Sequence, residues 1–209
     1  MFRVKVCGLT RAKDVAACVR AGVDALGFNL SLGPRKIPVA LARSLARRVP
    51  PSVLRVGLFV NEPLAFVRRA SRECGFDAVQ LCGDEDASYC ASLGWPVLKT
   101  VPMRDRRAPD RFKTYPIAAL ILDRYNRKMR GGTGKTFPWG WAREAERLRL
   151  PVLLAGGLHP GNVAEAIRTA RPFGVDTASG VETRPGIKDE GKIRLFAKKA
   201  RDAFRRLDP

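Results

Sequence analysis

Cys7 and Asp123 each follow a short apolar run, Arg3–Val6 and Ile117–Leu122, and between them they offer a thiol and a carboxyl for moving protons. A free thiol titrates at about 8.5 and a free aspartate at about 3.9, so each needs burial or charged neighbours to work near neutral pH. Lys5 precedes Cys7 by two residues, which in a strand puts both on one face, where a cation favours the thiolate. The residues alone leave a plainer reading open, with Cys7 as inert filling and Asp123 as a helix cap. Two glycine-bearing stretches, Ala155-Gly-Gly-Leu-His-Pro160 and Ser179-Gly-Val-Glu182, suit a different task. Glycine lets backbone N–H groups approach an anion, and a following helix adds its dipole. Gly156, Gly157, Ser179 and Gly180 are therefore candidate phosphate ligands, against the alternative that the glycines only serve tight turns. Gly134-Lys135-Thr136 resembles the end of a nucleotide-binding loop, but Met129 stands where that motif requires glycine.

These groups need a frame that gathers distant residues at one place. Eight β-branched and apolar runs recur: Arg3–Val6, Ala25–Leu30, Leu54–Val60, Ala78–Leu81, Val97–Val101, Ile117–Leu122, Val152–Ala155 and Val175–Ala178. Between them lie helical patterns. Leu41, Leu45 and Val49 repeat at four with Ala42 and Ala46 beside them; Leu64, Val67, Ala70 and Cys74 form a stripe that Gly75 stops, with Asn61-Glu-Pro63 as cap and early proline. Trp141, Ala145 and Leu148 make another face, Pro160 opens the stretch of Val163, Ala166, Ile167 and Ala170, and the last helix carries Ile193, Phe196, Ala197, Ala200, Phe204 and Leu207. Residues 103–115 are basic and poorly periodic, which predicts a reduced helix or loop. Eight β-then-α units predict an α/β fold, a (βα)8 TIM barrel forming a single domain over 1–209. In such a barrel chemistry sits at the carboxyl ends of the strands, where Cys7, Gly33-Pro34-Arg35, Cys82, Asp123, Gly156, Gly157, Asp176, Ser179 and Gly180 all fall.

Bulk properties narrow the function classes. Residues are 45% hydrophobic and 28% charged, with no apolar run near the roughly 20 residues of a membrane span. MFRVKVCGLT lacks the features of a signal peptide, so a cytoplasmic location and no membrane partner are expected. Five cysteines (Cys7, Cys18, Cys74, Cys82, Cys90) form no C-x-x-C pair, and neither a disulfide framework nor a metal site fits their spacing. The net charge of +19 could mean nucleic acid, yet the basic residues are spread along the chain. Only Arg104-Asp-Arg-Arg107 and the tail from Lys198 to Arg206 cluster, without interleaved aromatics, so nucleic acid is disfavoured as a partner. Oligomeric state is left open.

Taken together, Lys5-Val-Cys-Gly-Leu-Thr10, Gly57-Leu-Phe-Val-Asn61, Val79-Gln-Leu81, Leu122-Asp123, Gly131-Gly-Thr-Gly-Lys-Thr-Phe137, Leu154-Ala-Gly-Gly-Leu158 with Asn162-Val163, and Gly174-Val-Asp-Thr-Ala-Ser-Gly-Val-Glu182 resemble the phosphoribosylanthranilate isomerase family, in order and over residues 4–189. The resemblance implies an Amadori rearrangement in tryptophan biosynthesis: N-(5-phosphoribosyl)anthranilate becomes 1-(2-carboxyphenylamino)-1-deoxyribulose 5-phosphate. It implies Asp123 as the general acid that opens the ribose ring and Cys7 as the base that removes the C2 proton. It further implies Arg35 on the anthranilate carboxylate, Asp176 beside the substrate, and a phosphate site at Gly156, Gly157, Ser179 and Gly180. No cofactor is implied, and the partner is a small phosphorylated substrate. The family usually has histidine where this chain has Cys82, and Ser-Pro-Arg where it has Gly33-Pro34-Arg35. His159, the only histidine, is expected at the surface or behind the phosphate loop. The competing readings are another phosphosugar barrel isomerase, such as the histidine-pathway ribonucleotide isomerase with its two aspartates, and an inactive barrel that binds nucleic acid.

Overall fold

The eight apolar runs become eight parallel strands, and pairing of the first with the last closes them into a barrel. The computed structural model describes residues 3–124 and 137–207. The Gly134-Lys135-Thr136 tripeptide and all but Phe137 of the glycine-rich motif begun at Gly131 lie outside the described residues. In chain order the elements are β1 (Val4–Val6), α1 (Ala12–Arg20), β2 (Ala25–Asn29), α2 (Val39–Ala46), β3 (Leu54–Phe59), α3 (Leu64–Cys74), β4 (Ala78–Leu81), α4 (Ala87–Ser92) and β5 (Val97–Met103). A 3-10 turn (Ala108–Phe112) leads to β6 (Ala119–Arg124), then come α5 (Gly140–Glu144) continued by a 3-10 turn (Ala145–Leu148), β7 (Val152–Leu154), α6 (Val163–Ala170) and β8 (Gly174–Thr177). A 3-10 turn (Ser179–Val181), a hairpin of β9 (Glu182–Arg184) and β10 (Ile187–Lys188), and α7 (Glu190–Leu207) complete the chain. No helix among the described residues is long and apolar enough to cross a membrane.

Side chains alternate along each strand, so each strand feeds two cores. Outward-facing Val4, Val6, Phe28, Phe59, Val79, Leu81, Val101, Leu120, Leu122, Leu154 and Val175 pack under the helices. The helical stripes meet them: Val67, Ala70 and Cys74 of α3, and Ile193, Phe196, Ala197, Ala200 and Phe204 of α7, are buried. Inside the barrel, Ala25, Val56, Ala78, Leu98, Ala119, Ile121, Leu153 and Ala155 form a separate apolar layer.

Three local expectations change. Leu41 is exposed, while α2 buries Leu45 of that stripe with Ala42 and Ala46 beside it, and Val49 is buried beyond the end of the helix. Asn61 does not cap α3: it takes a left-handed φ of 51°, its Oδ1 accepts from Asp84 N at 2.7 Å, and its own N–H donates to Glu85 Oε1 at 2.8 Å. That ties the loop after β3 to the loop after β4, and leaves Pro63 to hand over to the helix. Finally, β6 starts later than its apolar run and reaches Arg124, because Pro102 and Met103 extend β5 and pair with Asp123 and Arg124. Asp123 therefore rides on a strand rather than on a loose loop. The weakly periodic 103–115 stretch reduces to the single 3-10 turn, as its pattern predicts.

Candidate active site

The barrel interior turns polar one step above its apolar layer. Lys5 points inward with no exposure, and its ammonium donates to Gln80 Oε1 at 2.9 Å and to Asp176 Oδ1 at 3.0 Å. Register explains the second bond, since Lys5 and Asp176 are direct partners where β1 meets β8. Burial alone would strip the Lys5 proton, but the Asp176 carboxylate and the nearby Cys7 sulfur outweigh it and hold Lys5 above the ordinary lysine range. Gln80 passes the network on through its Nε2 to Thr100 Oγ1 at 3.0 Å. Lys5 thus shares its strand face with Cys7, as their spacing implies, and that face points inward, with the ammonium anchored to β4 and β8.

Cys7 stands at the end of β1, buried, with its Sγ against Gly27 of β2. A Cβ at Gly27 would lie 2.6 Å from that sulfur, so glycine makes its room. Burial pushes the Cys7 thiol up; Lys5 and Lys188 pull the other way without reversing it. The expectation that Lys5 would favour thiolate holds for the sign of its own effect and fails for the sum. Asp123, half-buried on β6, has its carboxyl raised to about 6, first by burial and then by the Asp176 charge. One backbone bond, Arg124 N to Oδ1 at 2.7 Å, opposes that rise. A carboxyl tuned to about 6 can carry a proton close to neutrality.

Arg35 reaches the same mouth from the loop after β2, with its stem lying over Gly8, whose φ is 76°. Its fork is bidentate on Glu182, Nε to Oε1 at 2.8 Å and Nη2 to Oε2 at 2.7 Å. Glu182 also takes Lys188 Nζ at 2.8 Å on Oε1. Although burial works against the charge, Arg35 and Lys188 hold the Glu182 carboxyl below the usual range. A guanidinium gripped on one edge keeps its other N–H groups available in a fixed direction.

The two glycine loops lie beside each other. Gly156 and Gly157 take φ of 79° and 75°, and a Cβ at Gly156 would fall 2.9 Å from Asp123 Oδ1, so this loop runs against the β6 carboxyl. Asn162 fastens it, accepting from His159 N at 2.8 Å and donating to Gly157 O at 3.0 Å. Thr177 Oγ1 donates to Leu158 O at 2.7 Å, and Gly180 packs directly on the same carbonyl, joining this loop to the Ser179–Gly180 turn. His159 is exposed and uses Nδ1 to accept Gly161 N–H at 3.0 Å, a turn-closing role.

The profile of N-(5'-phosphoribosyl)anthranilate (PRA) isomerases matches residues 4–199. The chain belongs to the phosphoribosylanthranilate isomerase family. It is 44% identical to the N-(5'-phosphoribosyl)anthranilate isomerase of Geobacter metallireducens, over 96% of this chain and all of that one. The phosphoribosyl anthranilate isomerase structure from Thermotoga maritima superposes with a TM-score of 0.90 at 36% identity, over 97% of this chain and 100% of the other. A phosphoribosyl anthranilate isomerase in complex with reduced 1-(o-carboxyphenylamino)-1-deoxyribulose 5-phosphate gives a TM-score of 0.86 at 35% identity, with 97% and 100% covered.

Within this isomerase family frame, Cys82 sits where the resemblance leads one to expect histidine. Its sulfur lies 3.1 Å from Thr100 Oγ1 and 3.4 Å from Gln80 Nε2, and burial pushes it up to about 12. It belongs to the polar network as a neutral thiol. Glu182, Lys188 and Gly27 were not singled out by type or spacing. Glu182 ends a motif that carries the resemblance, which is a signal; Lys188 has none short of the fold, because a lone lysine in a basic chain reads as surface.

Proposed function

We infer that this chain converts N-(5'-phosphoribosyl)anthranilate to 1-(2-carboxyphenylamino)-1-deoxyribulose 5-phosphate, an Amadori rearrangement in tryptophan biosynthesis. The observation that carries the reading is the pairing of opposites in one mouth: a buried thiol on β1 and, three strands round the barrel, a carboxyl raised to about 6 on β6. Asp123 in its acid form gives its proton to the ribose ring oxygen as the C1–O bond breaks, and the anthranilate nitrogen lone pair closes a C1=N iminium. Cys7 as thiolate takes the C2 proton, and the C–H electrons flow to the iminium to leave a neutral enolamine. Tautomerisation gives the ketone: the C2 hydroxyl loses its proton as C2=O forms, and C1 gains one.

Burial favours the thiol, so the thiolate must be favoured by what binds. An iminium cation beside Cys7 does so, adding to the pull of Lys5 and Lys188. Lys5 and Asp176 supply a fixed dipole beneath the reacting carbons. The Arg35 edge left free by Glu182 suits the anthranilate carboxylate, and backbone groups of Gly156, Gly157, Ser179 and Gly180 suit the phosphate. No step in this sequence calls for a cofactor, and a cytoplasmic setting fits such a biosynthetic enzyme. The test is loss of phosphoribosylanthranilate fluorescence with the purified protein as the only enzyme. Steady turnover is expected, and its absence overturns the reading.

A further inference from the structure

We propose that Lys188 is a positioning residue that locks the base, the phosphate turn and the anthranilate arginine into one rigid unit. The inference rests on the site reading above. Lys188 closes the β9–β10 hairpin, and its ammonium is fully buried. An ammonium has three donors. Here they meet three acceptors: the carbonyl of Cys7 at 2.6 Å, the carbonyl of Ala178 at 2.9 Å and Glu182 Oε1 at 2.8 Å. Each acceptor belongs to a different part of the site. Cys7 is the base itself, Ala178 immediately precedes Ser179 and Gly180 of the phosphate turn, and Glu182 carries the Arg35 fork.

The clip is itself held rigidly. Lys188 N–H donates to Asp14 Oδ2 at 3.2 Å, and its carbonyl accepts Arg11 Nη2 at 3.2 Å. Arg11 and Asp14 in turn form a two-bonded pair at the start of α1. Backbone and head of one residue are thus both fixed, which stabilising a hairpin alone would not require. Burial lowers the Lys188 pKa, but the three acceptors leave no geometry for a neutral amine to satisfy, since an amine has one donor fewer. Removing the ammonium leaves two buried carbonyls and a carboxylate short of a partner at once.

The variants are Lys188→Met, Lys188→Arg and Glu182→Gln, with Cys7→Ala as reference and Arg55→Met as control. Arg55 pairs with Asp77 at the opposite end of the barrel, so its loss lowers stability and leaves both kinetic constants unchanged. Lys188→Met is expected to lower kcat about 100-fold and to raise KM about 10-fold, because misplacement of about 1 Å costs rates of that order. Lys188→Arg should fall between this variant and the parent. Glu182→Gln should raise KM alone, since it loosens Arg35 and leaves Cys7 and Ala178 clipped. Constants within twofold of the parent in folded Lys188→Met, with Cys7→Ala dead, overturn the clip and spare the site reading. Normal turnover by Cys7→Ala places the fault in the site reading instead. Should Lys188→Met fail to fold, Lys188→Arg decides: kcat and KM moving together support the clip, and both staying within twofold overturn it.

Discussion

The barrel interior has two layers built by the same strands on the same alternation, and they have little else in common. The lower layer is wholly apolar, with Ala78 on β4, Leu98 on β5 and Ile121 on β6. Two residues further along each strand, the upper layer places Gln80, Thr100 and Asp123. Lys5 and Asp176 lie buried in that polar layer as an ion pair, which desolvation makes a poor source of stability. The lower layer removes apolar surface from water and holds the ring of strands closed. The upper layer is held by that ring, and its unfavourable burial is what raises Asp123 and Cys7. A layer that works against the fold while tuning pKa values is the signature of a site.

The largest expected effect tests the upper layer. Cys7→Ala and Asp123→Asn should each lower kcat by about 10²- to 10⁴-fold, the usual worth of a general acid or base, with little change in affinity for the reduced product. Stability should not fall in either variant. Turnover above a third of the parent in Asp123→Asn would remove that carboxyl from the mechanism.

The lower layer should behave in the opposite sense. Leu98→Ala opens a cavity in the apolar disc and should cost about 2 to 5 kcal/mol in urea unfolding. The kcat per folded molecule should stay within about twofold, because Thr100 and the network above it remain. A variant of parental stability and impaired kcat would mean that the layers are not separable.

Asp123 links the two layers through pH. Its folded value of about 6 lies above the ordinary carboxyl value of 3.8, so the folded state holds the proton more tightly. That favours the fold fully below the unfolded value and is lost as pH rises through about 6. A shift of this size corresponds to about 3 kcal/mol, an upper bound for a group partly open to solvent. Asp123→Asn should therefore be more stable than the parent at pH 8, with the gap closing between pH 6 and 4. A gap independent of pH would show that Asp123 is not raised.

Much of this contrast was legible in the sequence. Eight apolar runs in alternation with helical stripes gave the barrel, because parallel strands covered on both faces need continuous apolar character. Cys7 and Asp123 became candidates because the carboxyl ends of barrel strands are few and chemistry gathers there, and both do lie at such ends. What escaped was set by long-range pairing. The shift of β6 onto Asp123 depends on Pro102 and Met103 of another strand. The bond from Asn61 to Asp84 joins two loops, where sequence offered a local helix cap. Lys188 becomes buried only once the β9–β10 hairpin folds onto the loop after β1, and nothing in its neighbours announces it, whereas Glu182 had the resemblance of its motif to mark it. Spacing put a cation near Cys7 but could not show the depth of burial, which decides the net direction of its shift.

The smallest expected effect concerns charge, and it turns on the same upper layer. The chain carries +19, yet among the described residues the ion pairs of the site are nearly balanced. Lys5, Arg35 and Lys188 face Asp176 and Glu182, with Asp123 neutral when protonated. Among the described residues these groups leave one net positive charge for a substrate that brings a phosphate and a carboxylate. The remaining excess is spread over the molecule, where it acts on encounter and is screened over about 10 Å at 0.1 M salt. Raising salt from about 10 mM to about 150 mM should lower kcat/KM by a few-fold at most and leave kcat flat, because buried pairs are screened far less than surface charge. A fall in kcat itself would mean that salt reaches the Lys5–Asp176 pair, and that the upper layer is wetter than its burial indicates.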